Sequence, residues 1–107
     1  MIGYTETAIH WLNAYRLFAL EPLIDLYDNQ ATQACSCDGP KLIAGKAALR
    51  VYWIDQFKTH PAGDVVGAQS EADGETLSFQ TSKGVVRARL HMDQLGRILH
   101  VECGLVQ

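Results

Sequence analysis

The chain is short of positive charge. Nine Lys and Arg stand against twelve Asp and Glu in 107 residues, giving a formal net charge of -3 with no basic run. The electrostatic footprint that a phosphate backbone requires is missing, so nucleic acid is not an expected partner. Long apolar runs are missing too: nothing approaches the roughly 18 consecutive apolar residues of a membrane span, and "MIGYTETAIHWL" carries no basic stretch ahead of an apolar one. No membrane partner is expected, and the expected compartment is the cytoplasm. Cysteine is scarce and odd in number, and three thiols suit a reduced intracellular chain better than a disulfide framework. Repeats, linkers and low-complexity stretches are also absent. Residues 1–107 therefore read as a single domain, long enough to bury a core.

What is present is a change of period. Ala8, Trp11, Leu12, Tyr15 and Phe18 recur on one face at helical spacing, with Thr5 or Thr7 as a cap. Pro22 suits the first turn of a second, short helix with Leu23, Ile24, Leu26 and Tyr27 on its apolar side, stopped by Asp28-Asn29. A strand through "ACSC" follows. A third helix begins after Gly45, carries the stripe Leu49, Tyr52, Trp53, Phe57 and His60, and ends at Pro61. Beyond Pro61 the period becomes two. Asp73-Gly74 and Lys83-Gly84 are two-residue hairpin signals, and "DQLG" at 93–96 suits a longer turn closed by a glycine at positive φ.

Those turns predict a four-stranded antiparallel meander in which Ala72 faces Glu75, Ser82 faces Val85 and Met92 faces Arg97. One face then collects Val66, Ala68, Ser70, Leu77, Phe79, Thr81, Val86, Ala88, Leu90, Met92, Leu99, Val101, Cys103 and Leu105. The other collects Gln69, Glu71, Thr76, Ser78, Gln80, Arg87, Arg89, His91, His100 and Glu102. A slip of one residue in any strand would spoil the split. The register sets Arg87 across from Glu102 and Arg89 across from His100.

Helix, short helix, strand, helix and meander, with "W..AY", "LYDNQAT", "G..ALR.YW" and "D..GRI" in place, resembles the SnoaL-like and ketosteroid-isomerase-like branch of the nuclear transport factor 2-like superfamily. The resemblance implies an α+β, cystatin-like cone: three N-terminal helices packed on a curved antiparallel sheet around a pocket. In relatives that isomerise steroids, a helix-1 tyrosine and a buried protonated acid hold an oxyanion while a strand-1 carboxylate moves the proton. Here those positions align with Trp11, Ala88 and Cys35, so all three roles are vacant. Polyketide-cyclase relatives often carry an acid or histidine near the end of the last strand, but in this register His100 and Glu102 turn outward.

Three functions follow as expectations. The first is a pocket for a small apolar ligand, lined by Trp11, Tyr15, Cys35, Cys37, Phe79, Ala88, Leu90, Met92 and Cys103. The second is an isomerase, cyclase or hydrolase using Tyr15 as donor and Asp38 as base, with Cys35 as a further catalytic candidate. The third is an interaction module, such as a homodimer, using Arg87, Arg89, His91, His100 and Glu102 on the polar sheet face, with the cone filled by its own side chains. No cofactor is expected. C-x-C at Cys35 and Cys37 without a second Cys/His pair is not a zinc motif, and buried thiols pack as small hydrophobes. His60 is expected at a helix end among terminal carbonyls, and His10 in solvent.

Overall fold

A computed structural model describes residues 4–36 and 39–106. In chain order they form α1 (Tyr4–Arg16), α2 (Leu20–Asp25), β1 (Tyr27–Cys35), β2 (Lys41–Ala44), α3 (Lys46–Thr59), β3 (Val65–Glu71), β4 (Gly74–Thr81), β5 (Gly84–Met92) and β6 (Ile98–Leu105). The strands make one sheet in the order β2-β1-β6-β5-β4-β3, antiparallel except where β1 runs parallel to β6. The helices cover one face of it. The chain is thus the expected α+β roll with three helices and a β3–β6 meander, plus one strand that periodicity did not reveal. Strand β2 is four residues at the sheet edge, with Ile43 only partly buried and the other three residues exposed, so it shows no alternation to read.

Helix α1 ends where Phe18 takes a left-handed φ of 56°. The Ala19 N–H reaches back to the Ala14 carbonyl (2.9 Å) and the Phe18 N–H to that of Tyr15 (3.2 Å), a Schellman closure that turns the chain sharply into α2. Pro22 lies in the first turn of α2, as expected. Tyr27 does not belong to that helix: it opens β1 and points into the core, where it is 1% exposed.

The hairpins are slid by two residues from the sequence-based register. Glu71 closes on Gly74 around Ala72-Asp73, and Thr81 on Gly84 around Ser82-Lys83. Gly74 explains the first slide. It is not a positive-φ turn residue; it sits in the strand, opposite His91, where a Cβ would lie 1.7 Å from the Leu90 carbonyl oxygen. Its smallness admits the β5 backbone instead. Gly96 does take the expected positive φ, 80°, in a loop organised by Asp93. The Asp93 carboxylate accepts from the Leu95 and Arg97 backbone N–H groups (2.9 Å each) and from Arg97 Nε (3.0 Å).

A slide of two preserves faces. Leu77, Phe79, Val86, Ala88, Leu90, Met92 and Val101 are buried under the helices, while Arg87, Arg89 and Glu102 point away. The cross-strand partners change, however. Glu102 stands opposite Arg89, Arg87 opposite Gly104, and His91 opposite His100, in place of the expected Arg87–Glu102 and Arg89–His100 pairs. An irregularity between His91 and Met92 also buries Ile98 and exposes Leu99, and Val66 and Ala68 near the β3 edge are exposed too.

Candidate functional site

Aromatic side chains at helical spacing converge inside the cone. Trp11 and Tyr15 from α1, Trp53 from α3 and Phe79 from β4 meet edge to face, with ring centroids 4.7 Å apart for Tyr15–Trp53 and 5.6 to 6.0 Å for Trp11–Trp53, Tyr15–Phe79 and Trp11–Phe79. Each such contact adds about 0.5–1.5 kcal/mol beyond area burial. At their base lies a polar thread. The Tyr27 hydroxyl accepts from Trp11 Nε1 (3.1 Å) and Trp53 Nε1 (3.3 Å) and donates to Gln33 Oε1 (2.5 Å). Gln33, itself fully buried, passes its amide N–H on to Cys103 Sγ at 3.6 Å. Every buried polar end finds a partner within this thread, as desolvated groups require.

What remains is a cavity of about 10 Å³. That is space for no more than one water molecule. Trp11, Tyr15, Phe79 and Cys103 line it, as read from the sequence; so do Tyr52, Trp53, Gln56, His60 and Val86, which were not on that list. Ala88, Leu90 and Met92 are buried in the core and do not line this cavity, nor does Cys35, which is buried in the core and also borders the trough on the outer face of the sheet. The missed α3 residues carried a legible signal, since Tyr52, Gln56 and His60 recur every four residues on the face already assigned to the core.

Two of the three positions aligned with isomerase roles, Ala88 and Cys35, fall in one row across three strands with Cys103 between them, while Trp11 stands on α1. Ala88 stands opposite Cys103, and Cys103 beside Cys35. No carboxyl occupies the row. The thiol of Cys35 shares a hydrogen bond with the Tyr52 phenol, which burial, and then the nearby Cys103 and Cys35, push far above the ordinary tyrosine range. Burial likewise raises Tyr27, opposed by its two indole donors. Both phenols stay neutral and serve as hydrogen-bonding groups, not bases.

Of the catalytic candidates, Tyr15 donates its hydroxyl to the backbone carbonyl of His60. Asp38 and Cys37 lie outside the described residues. His60 is buried at the end of α3 with Nδ1 2.8 Å from Thr59 Oγ1, and His10 is exposed. The acidic side chain buried among the described residues is one not assigned to either face from the sequence, Glu75. Its Oε2 accepts from Ser70 Oγ (2.8 Å) and Thr5 Oγ1 (3.2 Å), tying the start of α1 to β3 and β4. Its place was legible, because Glu75, Leu77 and Phe79 alternate on one face; it lines no cavity.

The opposite face of the sheet is open. A trough of about 910 Å³ runs over β1, β6 and β5, bordered by Lys41, Arg87, Arg89, His100 and Glu102, and a second of about 440 Å³ lies over β3 and β4 on the far side of the same two arginines. Among the described residues neither Arg87 nor Arg89 has a carboxylate within ion-pair distance. Glu102 is turned instead toward His91 and His100.

No family model and no curated protein matches the sequence. Solved structures match the fold. A SnoaL-like protein of unknown function from Burkholderia thailandensis superposes with a TM-score of 0.83 at 12% identity, over 97% of this chain and 95% of that one. A cystatin-fold protein from Novosphingobium aromaticivorans gives 0.80 at 16% identity, over 96% and 98%. A candidate polyketide cyclase from Sinorhizobium meliloti gives 0.79 at 12%, over 95% and 99%. At these identities the likeness is one of architecture, a fold shared with SnoaL-like and cystatin-fold proteins.

Proposed function

We propose that this chain, a SnoaL-like fold whose cone is closed by its own aromatic side chains, is a non-catalytic binding module working through the open face of its sheet, where it pairs with a second copy of itself. The observation that carries this reading is the 10 Å³ cavity: the interior has no room for a substrate. The face carries charges of both signs, with Arg87 and Arg89 on β5 unmatched by a carboxylate among the described residues, Glu102 on the adjacent β6 and Glu71 two strands away on β3. A two-fold axis through such a face sets the arginines of one copy against acids of the other, the self-complementary arrangement that an isologous dimer needs. Sedimentation velocity tests it. The unmodified chain should sediment as a dimer, and the Arg87→Glu, Arg89→Glu chain as a folded monomer. A monomeric unmodified chain would refute the proposal.

A second reading, binding of a small apolar molecule in the cone, draws support from one residue. Gln56 is 5% exposed, borders the cavity, and makes no side-chain hydrogen bond among the described residues. A single amide in a mostly apolar wall is the kind of polar group that orients a mostly apolar ligand. Such a ligand would have to displace Tyr52 or Trp53, and quenching of the Trp11 and Trp53 fluorescence by a bound apolar compound would reveal it.

A further inference from the structure

Two thiols stand side by side where β1 and β2 join the meander. Cys35 closes β1, Cys103 lies near the end of β6, and they are register partners on adjacent parallel strands. The Ser36 N–H donates to the Cys103 carbonyl at 3.0 Å, so the ladder is intact here and holds the two backbones at the spacing of paired strands. That spacing is about 4.8 Å, inside the roughly 4.4–6.8 Å that a disulfide takes between Cα atoms. The side chains agree. Cys35 shares a hydrogen bond with the Tyr52 phenol, and both sulfurs, after burial itself, push that phenol up, so both lie close to one hydroxyl. Gln33, two residues before Cys35 on the same face of β1, donates to Cys103 Sγ at 3.6 Å. Cys35 is buried, whereas Cys103 is partly exposed and borders both the residual cavity and the outer trough.

We propose that Cys35 and Cys103 are a redox pair that closes to a disulfide on contact with a hydroperoxide and so locks β1 to β6. Cys103, the more accessible sulfur, attacks the peroxide O–O bond; it is oxidised to a sulfenic acid while the peroxide is reduced and leaves as water or an alcohol. The Cys35 sulfur then displaces the sulfenic oxygen, which departs as water with the proton that the thiol gives up. Two thiols and one hydroperoxide thus yield one disulfide, one water and one water or alcohol. Direct opposition leaves the Cβ atoms at about the strand spacing, wider than the roughly 3.5–4.5 Å of a relaxed bridge, so the bond stores strain and a dithiol reopens it. The loop it closes takes in most of the chain, which restricts the unfolded state strongly. Because both sulfurs sit on the Tyr52 side of the sheet, closure leaves the arginine face, and the pairing proposed for it, unaltered.

The test treats the reduced full chain with excess hydrogen peroxide at neutral pH, alkylates the remaining thiols after unfolding, and weighs the intact chain and its tryptic peptides. One bridge should form, seen as the loss of two hydrogen atoms, a single alkylated cysteine and a link between the peptides of residues 17–41 and 98–107, and dithiothreitol should reverse it. A Cys37→Ser chain should bridge as readily, whereas Cys35→Ala and Cys103→Ala chains, checked by circular dichroism to be folded, should not link the two peptides. In urea the bridged chain should unfold at a higher midpoint than the same chain kept reduced, an effect that thiols serving only as packing would not produce. Any of three results overturns the proposal. The first is a native chain whose thiols survive, or over-oxidise singly, at a peroxide dose that bridges the chain unfolded in urea. The second is a link that vanishes with Cys37→Ser or persists in Cys35→Ala, which would put Cys37 in the bridge. The third is a bridge that lowers the midpoint, which would mean that the sulfurs meet only by distorting the ladder.

Discussion

Replacing Tyr27 by Phe removes one oxygen atom and should cost more than any other single-atom change in the chain. The hydroxyl is the acceptor for two buried indole N–H groups, at 3.1 and 3.3 Å, and the donor to a fully buried amide oxygen at 2.5 Å. Phe fills the ring's space but returns none of these bonds. Each buried polar group left without a partner costs about 1–3 kcal/mol, and the residual cavity can offer at most a single water in compensation. Two indole donors and one amide oxygen therefore place the loss at roughly 3–5 kcal/mol, a large share of the 5–15 kcal/mol that typically holds such a domain together. Urea unfolding followed by tryptophan fluorescence and far-ultraviolet circular dichroism reads this as a fall in midpoint at unchanged slope. Tyr15→Phe, which forfeits one hydroxyl bond to the His60 carbonyl, should lose only about 1–2 kcal/mol. A Tyr27→Phe chain within about 0.5 kcal/mol of the unmodified one would refute the hub, because indoles that do not notice the loss cannot have been bound to it.

Other outcomes follow from the same structure. Gly74→Ala should destabilise by about 3 kcal/mol or more, or prevent folding, since its Cβ would meet the Leu90 carbonyl at 1.7 Å; a midpoint unchanged in urea would contradict the β4–β5 register. Tyr27 and Tyr52 have folded pKa values raised above the unfolded one near 10, so their contribution is intact below pH 10 and is lost as pH rises above it, by about 1.4 kcal/mol per pH unit for each phenol. Phenolate absorbance from these two should therefore appear only with unfolding; its appearance in the folded chain would contradict their burial. Asp93 is lowered, first by the Arg97 backbone N–H, so its contribution is present above the ordinary carboxylate range and is lost as pH falls through the lowered value; Asp93→Asn should flatten that acid limb in a pH series of thermal midpoints. With Ala88 and Cys35 at the positions that the sequence resemblance aligns with an isomerase's acid and base, turnover of a 5-ene-3-ketosteroid should be at background, and robust turnover abolished by Tyr15→Phe would restore the enzymatic reading.

The sequence carries the faces of the sheet better than its pairing. Alternation fixes which side Leu77, Ala88 and Arg89 occupy, and a two-residue slide leaves that unchanged, so nothing in the hydrophobic pattern distinguishes Arg87 from Arg89 as the neighbour of Glu102. Gly74 misled because a turn and a close backbone approach both favour glycine. Tyr27 follows Leu23, Ile24 and Leu26 at a spacing that a helix would also produce, and only the tertiary demand of two indole donors marks it as a strand residue of the core. Glu75 shares the parity of Leu77 and Phe79 but is of a type rarely buried without partners, and its partners Thr5 and Ser70 are distant or unremarkable in sequence. The cavity was the least legible feature. Its walls are aromatic whether the cone is open or full, and the difference lies in how Trp11, Tyr15, Trp53 and Phe79 meet, which is a matter of rotamers and not of composition.

The account turns on a closed cone and a working outer face, and native mass spectrometry of the chain as purified reads both together. It should find twice the chain mass with no small molecule attached, falling to a single chain mass for Arg87→Glu, Arg89→Glu. A monomer carrying a stoichiometric apolar compound would contradict it, placing the function back inside the cone.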